Sequence, residues 1–323
     1  MQVRRRNFIA AAGATVALRA VPVGAASSVS VRFNWTMKGE FTPFVIARDK
    51  GFYRDAGVDA QLAPGTSGTQ AAQSVALGHD QFGYIPSIQV IEGITKQQMP
   101  LRSIAECGTF TGMCWASRPD VALNGPKALE GHRVSISPAS TFFQVWDAFA
   151  NKFGVDKSKV QVVGADPSAR VGLFLDGRVD IMADIFYAND LVILQSKVKE
   201  KLNVFRLEQV GFDPLGYLLV ANTSLIGSDA NLVKAFTQAT LRGLAYTQQH
   251  PDDAADIMSR SGVQLSSSVI AGQVHNLQSL INARPVLGKN ESGGWKRSLE
   301  ILQGAGVIEK ALDQAAYYTN QFV

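Results

Sequence analysis

The sequence is poor in the residue types that hold metals and disulfides. It contains 2 cysteines and 4 histidines in 323 residues. The histidines are scattered and no Cys or His pair has the spacing of metal ligands, so we expect neither a metal nor another cofactor. Cys107 and Cys114 lie seven positions apart in ECGTFTGMCW. On an extended strand that separation is roughly 23 Å, so only a turn at 108–112 would let the two thiols form a disulfide.

Long apolar runs and an excess of one charge are also missing once the first 26 residues are set aside. No later stretch approaches 18 consecutive apolar residues, which excludes a transmembrane helix on sequence grounds. Four of the 31 basic residues and none of the 27 acidic residues lie in 1–26, so the remainder carries 27 of each. A chain without net charge gives no electrostatic reason to expect nucleic acid or an anionic membrane as a partner.

Residues 1–26 have the pattern of an export signal. Three arginines at 4–6 precede a short, mildly apolar run that ends in the small residues VGAA at 23–26. The run RRNFI resembles the bacterial twin-arginine signal. We expect cleavage after Ala25 or Ala26 and a periplasmic location, with no lipid-anchor cysteine near the cleavage site.

Beyond the signal, strands and helices alternate. Strand, helix, strand, helix and strand are predicted in turn at 29–35, 41–57, 58–64, 65–80 and 81–87. After an extended segment at 101–117 the pattern restarts, and the same five elements are predicted at 132–137, 140–154, 160–165, 167–178 and 179–186. This order is typical of an α/β fold with a doubly wound parallel sheet.

The restart is an internal duplication, which predicts two similar lobes. The segments SGTQAAQSVALGHDQFGY and PSARVGLFLDGRVDIMAD align at an offset of 99 residues, with Gly78 opposite Gly177. A second extended segment at 209–222 precedes a mostly helical remainder, whose final helix is expected from about Glu309. Each lobe is therefore expected to be a doubly wound sheet flanked by helices.

Two crossing segments make the second lobe an insertion into the first. The predicted boundaries are 27–112 and 213–323 for lobe I and 113–212 for lobe II. The two crossings should act as a hinge, because glycine tolerates the backbone rotation that hinge bending requires. The glycines placed to absorb it are Gly108, Gly112, Gly211 and Gly216.

The order of motifs resembles one family of transport receptors. Trp35 is followed by PFVIARDKGFYRDAGVD, by a Gly-rich turn before AAQSVALGHDQFG, and by KALEGHRVSIS with STFF. These motifs are similar to those of the periplasmic solute-binding proteins of ABC importers, in the branch with taurine, alkanesulfonate, nitrate and thiamine-pyrimidine receptors. The resemblance spans nearly all of 30–260. It implies a two-lobed fold that closes over a small molecule and delivers it to an ABC permease in the inner membrane, and we expect a monomer.

The ligand is expected at the carboxyl ends of the strands, where loops and helix N-termini converge. In this chain those loops lie at 35–42, 64–69, 84–87, 137–142, 165–168 and 184–187. The candidate ligand-binding residues are Trp35, Lys38, Phe41, Thr42, Gly65, Thr66, Ser67, Gly68, Thr69, Tyr84, Pro86, Ser87, Thr109, Ser140, Thr141, Phe142, Asp166, Asp184, Phe186 and Tyr187.

Two features of this lining favour different ligands. The helix starts GTSGT and SPAST offer hydroxyl and backbone N–H groups that suit an oxyanion, although Ser and Thr also cap helices routinely. The aromatic residues, with Asp184 as first acceptor and Glu40 and Asp166 next, suit a flat heteroaromatic such as a thiamine-precursor pyrimidine. Lys38 and Arg170 are the nearest cations and form no evident clamp. We therefore favour the heteroaromatic, and an alkanesulfonate, taurine or nitrate-type anion is the alternative.

An enzyme is a further alternative. The superfamily includes fungal enzymes that make the thiamine pyrimidine by consuming an active-site histidine and that carry a cysteine-rich motif, which this chain lacks. No Ser/His/Asp arrangement, P-loop or HExxH is present. A sensor domain for a membrane kinase would need a signalling module, and we find none in the sequence. We therefore expect a binding protein without catalytic activity. The histidines fall at helix ends or faces away from the predicted cleft: His79, His132, His250 and His275.

Overall fold

The computed structural model describes residues 26–166, 168–281 and 286–323. The predicted export signal and its cleavage after Ala25 or Ala26 lie essentially outside these ranges. Within them, no helix combines the length and the apolar character needed to cross a bilayer.

Lobe I opens with the predicted alternation of strands and helices. Its elements are β1 Ser27–Phe33, α1 Thr42–Asp49, α2 Phe52–Asp55, β2 Val58–Ala63, α3 Gly68–Ala76, β3 Phe82–Pro86, α4 Ser87–Gln97 and β4 Leu101–Glu106. The helix predicted at 41–57 is in fact two, because Gly51 at φ 79° takes the left-handed conformation and ends the first. Helix α4 was not predicted, since it follows β3 without a loop.

Lobe II repeats this layout, and the chain then returns to lobe I. The elements of lobe II are β5 Met113–Ser117, β6 Arg133–Ser135, α5 Thr141–Phe153, β7 Gln161–Val163, α6 Arg170–Leu175, β8 Ile181–Phe186, α7 Asp190–Gln195 and β9 Asn203–Arg206. The returning elements are β10 Tyr217–Asn222, α8 Thr223–Ser228, α9 Ala230–Gln249, α10 Pro251–Arg260, α11 Ser267–Gln278 and α12 Ser292–Gly304. The final helix predicted from Glu309 is wrong: only one 3₁₀ turn, Gln314–Ala316, forms there.

Each lobe is built on one five-stranded sheet, which confirms the predicted two-lobed α/β fold. The strand orders are β2-β1-β3-β10-β4 and β7-β6-β8-β5-β9. The sheets are mixed rather than parallel, because β10 runs antiparallel to β3 and β4, and β5 runs antiparallel to β8 and β9. Strands β5 and β10 are the ones that cross between lobes. They enter their sheets directly from the hinge without a crossover helix, so they run in the opposite direction to the neighbours that follow a helix.

The internal duplication is visible in the structure. Gly78 and Gly177 end the equivalent helices α3 and α6, at φ 76° and φ 66°. Their amides donate in the same way to the residue three positions back, Val75 and Phe174. The strand that follows pairs in parallel with the first predicted strand of its lobe, β3 with β1 and β8 with β6. Left-handed backbone at the helix end explains why glycine occupies both positions.

The two crossings touch each other at glycines. The amide of Gly216 donates to the carbonyl of Gly108 at 3.0 Å. A Cβ atom at Gly216 would lie 2.5 Å from the carbonyl oxygen of Phe110, so no larger residue fits without a shift of backbone. Gly112 has φ 68° and turns the chain between β4 and β5. Despite this turn, Cys107 and Cys114 are free thiols, buried in the cores of different lobes.

Candidate functional site

A cleft lies between the two lobes at the amino ends of α3 and α5. It encloses about 410 Å³ of empty space, including solvent at its mouth. Lobe I contributes Asn34, Trp35, Lys38, Ser67 and Gly68. Lobe II contributes Ala139, Ser140, Thr141, Arg170, Asp184, Phe186 and Asp190.

Two helix starts face each other across the cleft. The Ser67 hydroxyl accepts a hydrogen bond from the amide of Gln70 at 3.1 Å, and Ser140 accepts one from Phe143 at 3.2 Å. Both serines are therefore caps. The amides in the first turn of an α-helix have no acceptor within the helix. Gly68 and Thr141 are first-turn residues that line the cleft. Their backbone N–H groups can therefore donate to an acceptor atom of a ligand.

A network of buried charges forms the floor of the cleft. The Arg170 guanidinium lies 3.2 Å from Asp184 Oδ2 through Nη1 and 3.0 Å from Asp190 Oδ1 through Nη2. Lys38 Nζ, from lobe I, lies 3.8 Å from the same Asp190 oxygen and 3.6 Å from Glu40 Oε1. Arg170 is thus clamped by two carboxylates, which sequence analysis did not foresee. Both cations are compensated by the protein itself.

The network holds three carboxyl groups and two cations. The pKa values of the three carboxyl groups shift in different directions. Burial raises the pKa of Glu40 and that of Asp184 above their ordinary values, because desolvation outweighs the neighbouring cations. Burial would also raise the pKa of Asp190, but Lys38 and Arg170 together outweigh it and hold this pKa below its usual range. Asp190 is therefore the firmly ionised member of the network.

Two oxygen atoms at the cleft lack a hydrogen-bond donor. Asp184 Oδ2 accepts from the amide of Ser137 at 2.7 Å, whereas Asp184 Oδ1 is buried and accepts from no described residue. The Asn34 amide donates to the Tyr217 hydroxyl at 3.1 Å, and its Oδ1 is likewise without a donor. Because an unpaired buried acceptor costs free energy, these two oxygens favour a ligand that brings N–H or O–H groups.

Side-chain amides join the lobes on both sides of the cleft. On one side Gln144 of α5 donates to Thr69 Oγ1 at 2.9 Å and accepts from Gln89 of α4 at 2.8 Å. On the other side Asn189 donates to Glu40 Oε2 at 2.6 Å. The lobes are thus in contact, and the cleft is in a closed arrangement. Neither glutamine was predicted, since each lies within a helix where sequence gives no sign of the other lobe.

Eight of the twenty predicted residues line the cleft. They are Trp35, Lys38, Ser67, Gly68, Ser140, Thr141, Asp184 and Phe186. Trp35 and Phe186 are both half-buried and come from opposite lobes.

Three predicted aromatic residues pack in the lobe cores instead. Phe41 stacks on Phe33 at a ring distance of 4.3 Å, and Tyr84 stacks on Tyr217 at 4.8 Å. Phe142 lies edge-on to Trp115 at 6.1 Å. All three are nearly fully buried, because their side chains pack in the hydrophobic cores. Sequence position places a residue at the cleft loop but does not decide which way it points.

Other predicted residues serve the backbone around the cleft. Thr42, Pro86 and Ser87 are buried beneath it, and the Ser87 hydroxyl donates to the carbonyl of Leu215. A Cβ at Gly65 would lie 2.0 Å from the Phe33 carbonyl oxygen, so glycine is required there by close backbone packing. Thr69 holds the interlobe contact described above.

The remaining four predicted residues lie outside the cleft lining. Thr66 is exposed. The amide of Thr109 donates to Leu280 at 2.9 Å, in the hinge. Asp166 is exposed and accepts from the Ser168 amide at 2.9 Å. Tyr187 is covered by the Arg206 guanidinium, 4.3 Å from its ring centre.

Four cleft residues are absent from the predicted list: Asn34, Ala139, Arg170 and Asp190. Arg170 alone among them was noted in the sequence, as a nearby cation. Asp190 is the most important of these, and it begins α7, a helix that was not predicted. Its signal was an acidic residue four positions after the end of a buried strand. Across the described ranges, no group of three or more His, Cys, Asp or Glu side chains could hold a metal ion.

Comparison with known proteins adds a family and a fold. The model of the family described as "NMT1/THI5 like" matches residues 38–254. The chain is 23% identical over 307 residues to the riboflavin-binding protein RibY of Chloroflexus aurantiacus, covering 91% of this chain and 86% of RibY. It is 22% identical over 307 residues to a 4-amino-5-hydroxymethyl-2-methylpyrimidine phosphate synthase of Legionella pneumophila, covering 92% of each.

Among solved structures, the periplasmic aliphatic sulphonate binding protein SsuA of Escherichia coli superposes with a TM-score of 0.70. The identity is 13%, and the superposition covers 90% of this chain and 91% of SsuA. The periplasmic-binding-protein fold is therefore shared.

Proposed function

This chain belongs to the NMT1/THI5-like family, and from that premise we propose that it is the extracytoplasmic substrate-binding component of an ABC importer. It would capture a small molecule between its lobes and deliver it to a membrane permease. The observation that carries the proposal is the cleft itself, in which both lobes contribute side chains and each cation is paired with carboxylates of the protein. Such a site binds and orients a ligand without a nucleophile or a free general base.

The preferred ligand is a flat heteroaromatic that carries N–H groups. Trp35 and Phe186 offer aromatic surface from opposite lobes, where a ring can stack. Asp184 Oδ1 and Asn34 Oδ1 are acceptors in need of donors, while the first-turn amides of Gly68 and Thr141 are donors in need of acceptors. A pyrimidine or a related ring has both kinds of atom along its edge. Riboflavin, which RibY is named as binding, and the pyrimidine phosphate that the Legionella relative is named as making both contain rings of this class.

An anion of the alkanesulfonate type is the second candidate. It is favoured by the two helix starts that face each other and by the structural likeness to SsuA. The charge network argues against it, because Arg170 and Lys38 are already paired with carboxylates. An added anion would therefore meet little uncompensated positive charge and would lie close to Asp184 and Asp190.

A synthase activity, as named for the Legionella relative, receives less support from this site. The cleft lining contains no histidine and no cysteine. Both thiols are buried, and burial raises the pKa of Cys107 to about 12 and that of Cys114 well above its ordinary value, so neither is ionised near neutral pH. A binding role therefore accounts better for the residues that are present.

Calorimetric titration of the purified chain without residues 1–26 tests the proposal. The ligands are 4-amino-5-hydroxymethyl-2-methylpyrimidine, riboflavin and an alkanesulfonate. We expect saturable, stoichiometric binding of a ring ligand, a more compact particle in solution scattering when ligand is added, and unchanged ligand by mass spectrometry afterwards. Chemical conversion of the ligand would contradict a pure binding role, and preferential binding of the sulfonate would favour the second candidate.

Export by the twin-arginine pathway is part of the same proposal. Replacement of Arg5 and Arg6 by lysine, which keeps the charge, should leave uncleaved precursor in the cytoplasm, because the machinery reads the arginine pair itself. The matched control is Arg4→Lys, which leaves the pair intact. Normal export of the Arg5→Lys, Arg6→Lys double variant would show that another pathway is used.

A further inference from the structure

A second cavity lies directly behind the cleft, toward the hinge. We call it the inner chamber. Phe186 borders both the cleft and the inner chamber, and it is the side chain that separates them. The chamber walls that matter here are Glu40, Asn189, Tyr84 and Tyr217. Residues of both lobes contribute, so the chamber forms when the lobes close.

The inner chamber contains two buried oxygens without hydrogen-bond donors. Glu40 and Asn189 are each 1% exposed. Glu40 Oε2 accepts from the Asn189 amide at 2.6 Å, whereas Glu40 Oε1 accepts no hydrogen bond. The Lys38 ammonium lies 3.6 Å from Oε1, and the Tyr217 hydroxyl is a further neighbour of this carboxyl group. Asn189 Oδ1 also accepts from no described residue. Two acceptors, one of them on a carboxylate, thus remain unsatisfied in the same chamber, which is costly in a buried site.

The inner chamber and the cleft are linked by two polar pairs. Lys38, which lines the cleft, contacts Glu40, which lines the chamber. Asn34, which lines the cleft, donates to the hydroxyl of Tyr217, which lines the chamber, at 3.1 Å. The chamber is therefore adjacent to a ligand that lies in the cleft beside Phe186.

The residues that line the inner chamber favour a ligand group that donates hydrogen bonds. Tyr84 and Tyr217 stack on each other at 4.8 Å and present aromatic surface, which favours a cation or an N–H group. The whole buried network holds Glu40, Asp184 and Asp190 against Lys38 and Arg170. The carboxyl groups outnumber the cations by one, so the network favours an added positive charge over an added negative one.

We propose that the inner chamber is a second compartment of the binding site, which receives an amino or ammonium substituent of the ligand while the rest of the ligand lies in the cleft. The substituent donates to Glu40 Oε1 and Asn189 Oδ1. This inference rests on the proposed function. It narrows the ligand class to molecules with a short amine-bearing arm beside the main group.

Methylammonium is the probe, because it carries the proposed group and little else. We would measure the melting temperature of the chain without residues 1–26 in methylammonium chloride and in equal concentrations of tetramethylammonium chloride, which has no N–H donor. We expect a rise of roughly 2–4 °C with methylammonium at several times its Kd. The rise should disappear in Glu40→Gln and shrink in Asn189→Ala. The control Glu92→Gln removes a half-buried carboxylate that is paired with Lys96 outside the chamber. This variant should show the same rise in melting temperature as the wild type.

The outcomes separate this inference from the proposed function. No rise in the wild type, or an equal rise in Glu40→Gln, would overturn the inner compartment, even if ring ligands bind in calorimetry. A rise that depends on Glu40 would support the compartment even if every ring ligand fails. If Glu40→Gln does not fold, Asn189→Ala decides by itself: an undiminished rise in that variant overturns the proposal, and a reduced rise supports it.

Discussion

Asp184→Asn gives the sharpest test of ligand class, because the structure predicts what each side-chain atom does. In the wild type, Oδ2 accepts from the Ser137 amide at 2.7 Å and lies 3.2 Å from Arg170, while Oδ1 is without a donor. An asparagine can keep its carbonyl oxygen at the Oδ2 position. Its amide nitrogen then replaces Oδ1, so a free acceptor at the cleft becomes a donor.

For a ring with N–H groups, this change removes a charge-assisted hydrogen bond. It also places the asparagine NH₂ group opposite the ring N–H group, so that two donors face each other. We expect a loss of about 1.5–3 kcal/mol in binding, which corresponds to roughly ten- to a hundredfold in Kd. For an alkanesulfonate the order inverts: affinity should stay or rise, because a nearby negative charge is replaced by a donor. Calorimetry with both ligands measures the two effects in one variant.

The fold should tolerate Asp184→Asn. Arg170 keeps its contact with Asp190 at 3.0 Å and its hydrogen bond to the carbonyl of residue 184 at 2.7 Å, and the cost of burying the Asp184 carboxylate disappears. We expect the free energy of unfolding to change by about 1 kcal/mol. The control is Asp166→Asn at the exposed rim. Unchanged affinity for the ring, with a loss of several kcal/mol in stability, would refute the reasoning and leave Asp184 as a structural partner of Arg170.

Three further predictions address stacking, packing and charge. Trp35→Ala should weaken binding of a ring ligand by roughly 1–3 kcal/mol in calorimetry with little change in melting temperature, since Trp35 is only half-buried; strong binding by the variant would exclude stacking there. Gly243→Ala should destabilise the fold by about 1–3 kcal/mol in denaturant unfolding, because its Cβ would lie 2.1 Å from a backbone carbonyl oxygen of α1, whereas Gly227→Ala has open space and should be neutral or stabilising. Asp80→Asn should cost about 1.5–3 kcal/mol at neutral pH through lost bonds from Arg32 and a buried serine. Burial raises the pKa of Asp80, but the hydrogen bonds lower it by more, so the pKa in the folded protein is below the ordinary 3.8. The stabilisation by Asp80 is therefore present above pH 3.8 and is lost as the pH falls through the folded pKa. A difference in unfolding free energy between wild type and variant that persists unchanged at low pH would contradict this.

The local parts of the fold were readable from the sequence for a physical reason. Helix and strand periodicity, and glycine where the backbone must turn left-handed, are properties of short segments. Gly78 and Gly177 therefore reveal the duplication in the sequence alone, and their left-handed backbone in the structure confirms it. The position of the cleft was readable too, because loops at the carboxyl ends of strands converge in any sheet of this kind.

The sheet direction and the side-chain orientations were not readable. Strands β5 and β10 look like ordinary strands in sequence, and only the path through the hinge makes them antiparallel. Phe41, Tyr84 and Phe142 lie where the sequence predicts the cleft loops, but Tyr84 belongs to β3 and Phe142 to α5, and all three pack into the lobes. One residue of shift along a loop or helix start decides between core and cleft, and that shift follows from packing of the whole lobe.

By itself, then, the sequence determined two duplicated α/β lobes and the loops from which a ligand site would be built, because each depends on local periodicity. The export signal that it predicts stays a prediction. Only the tertiary structure decided the chemistry of that site. Lys38 and Arg170 are far apart in the chain and lie on different lobes, and they meet through Asp190, the start of a helix that sequence did not predict. The Lys38–Asp190 contact joins the two lobes, and its distance is set by how the lobes close.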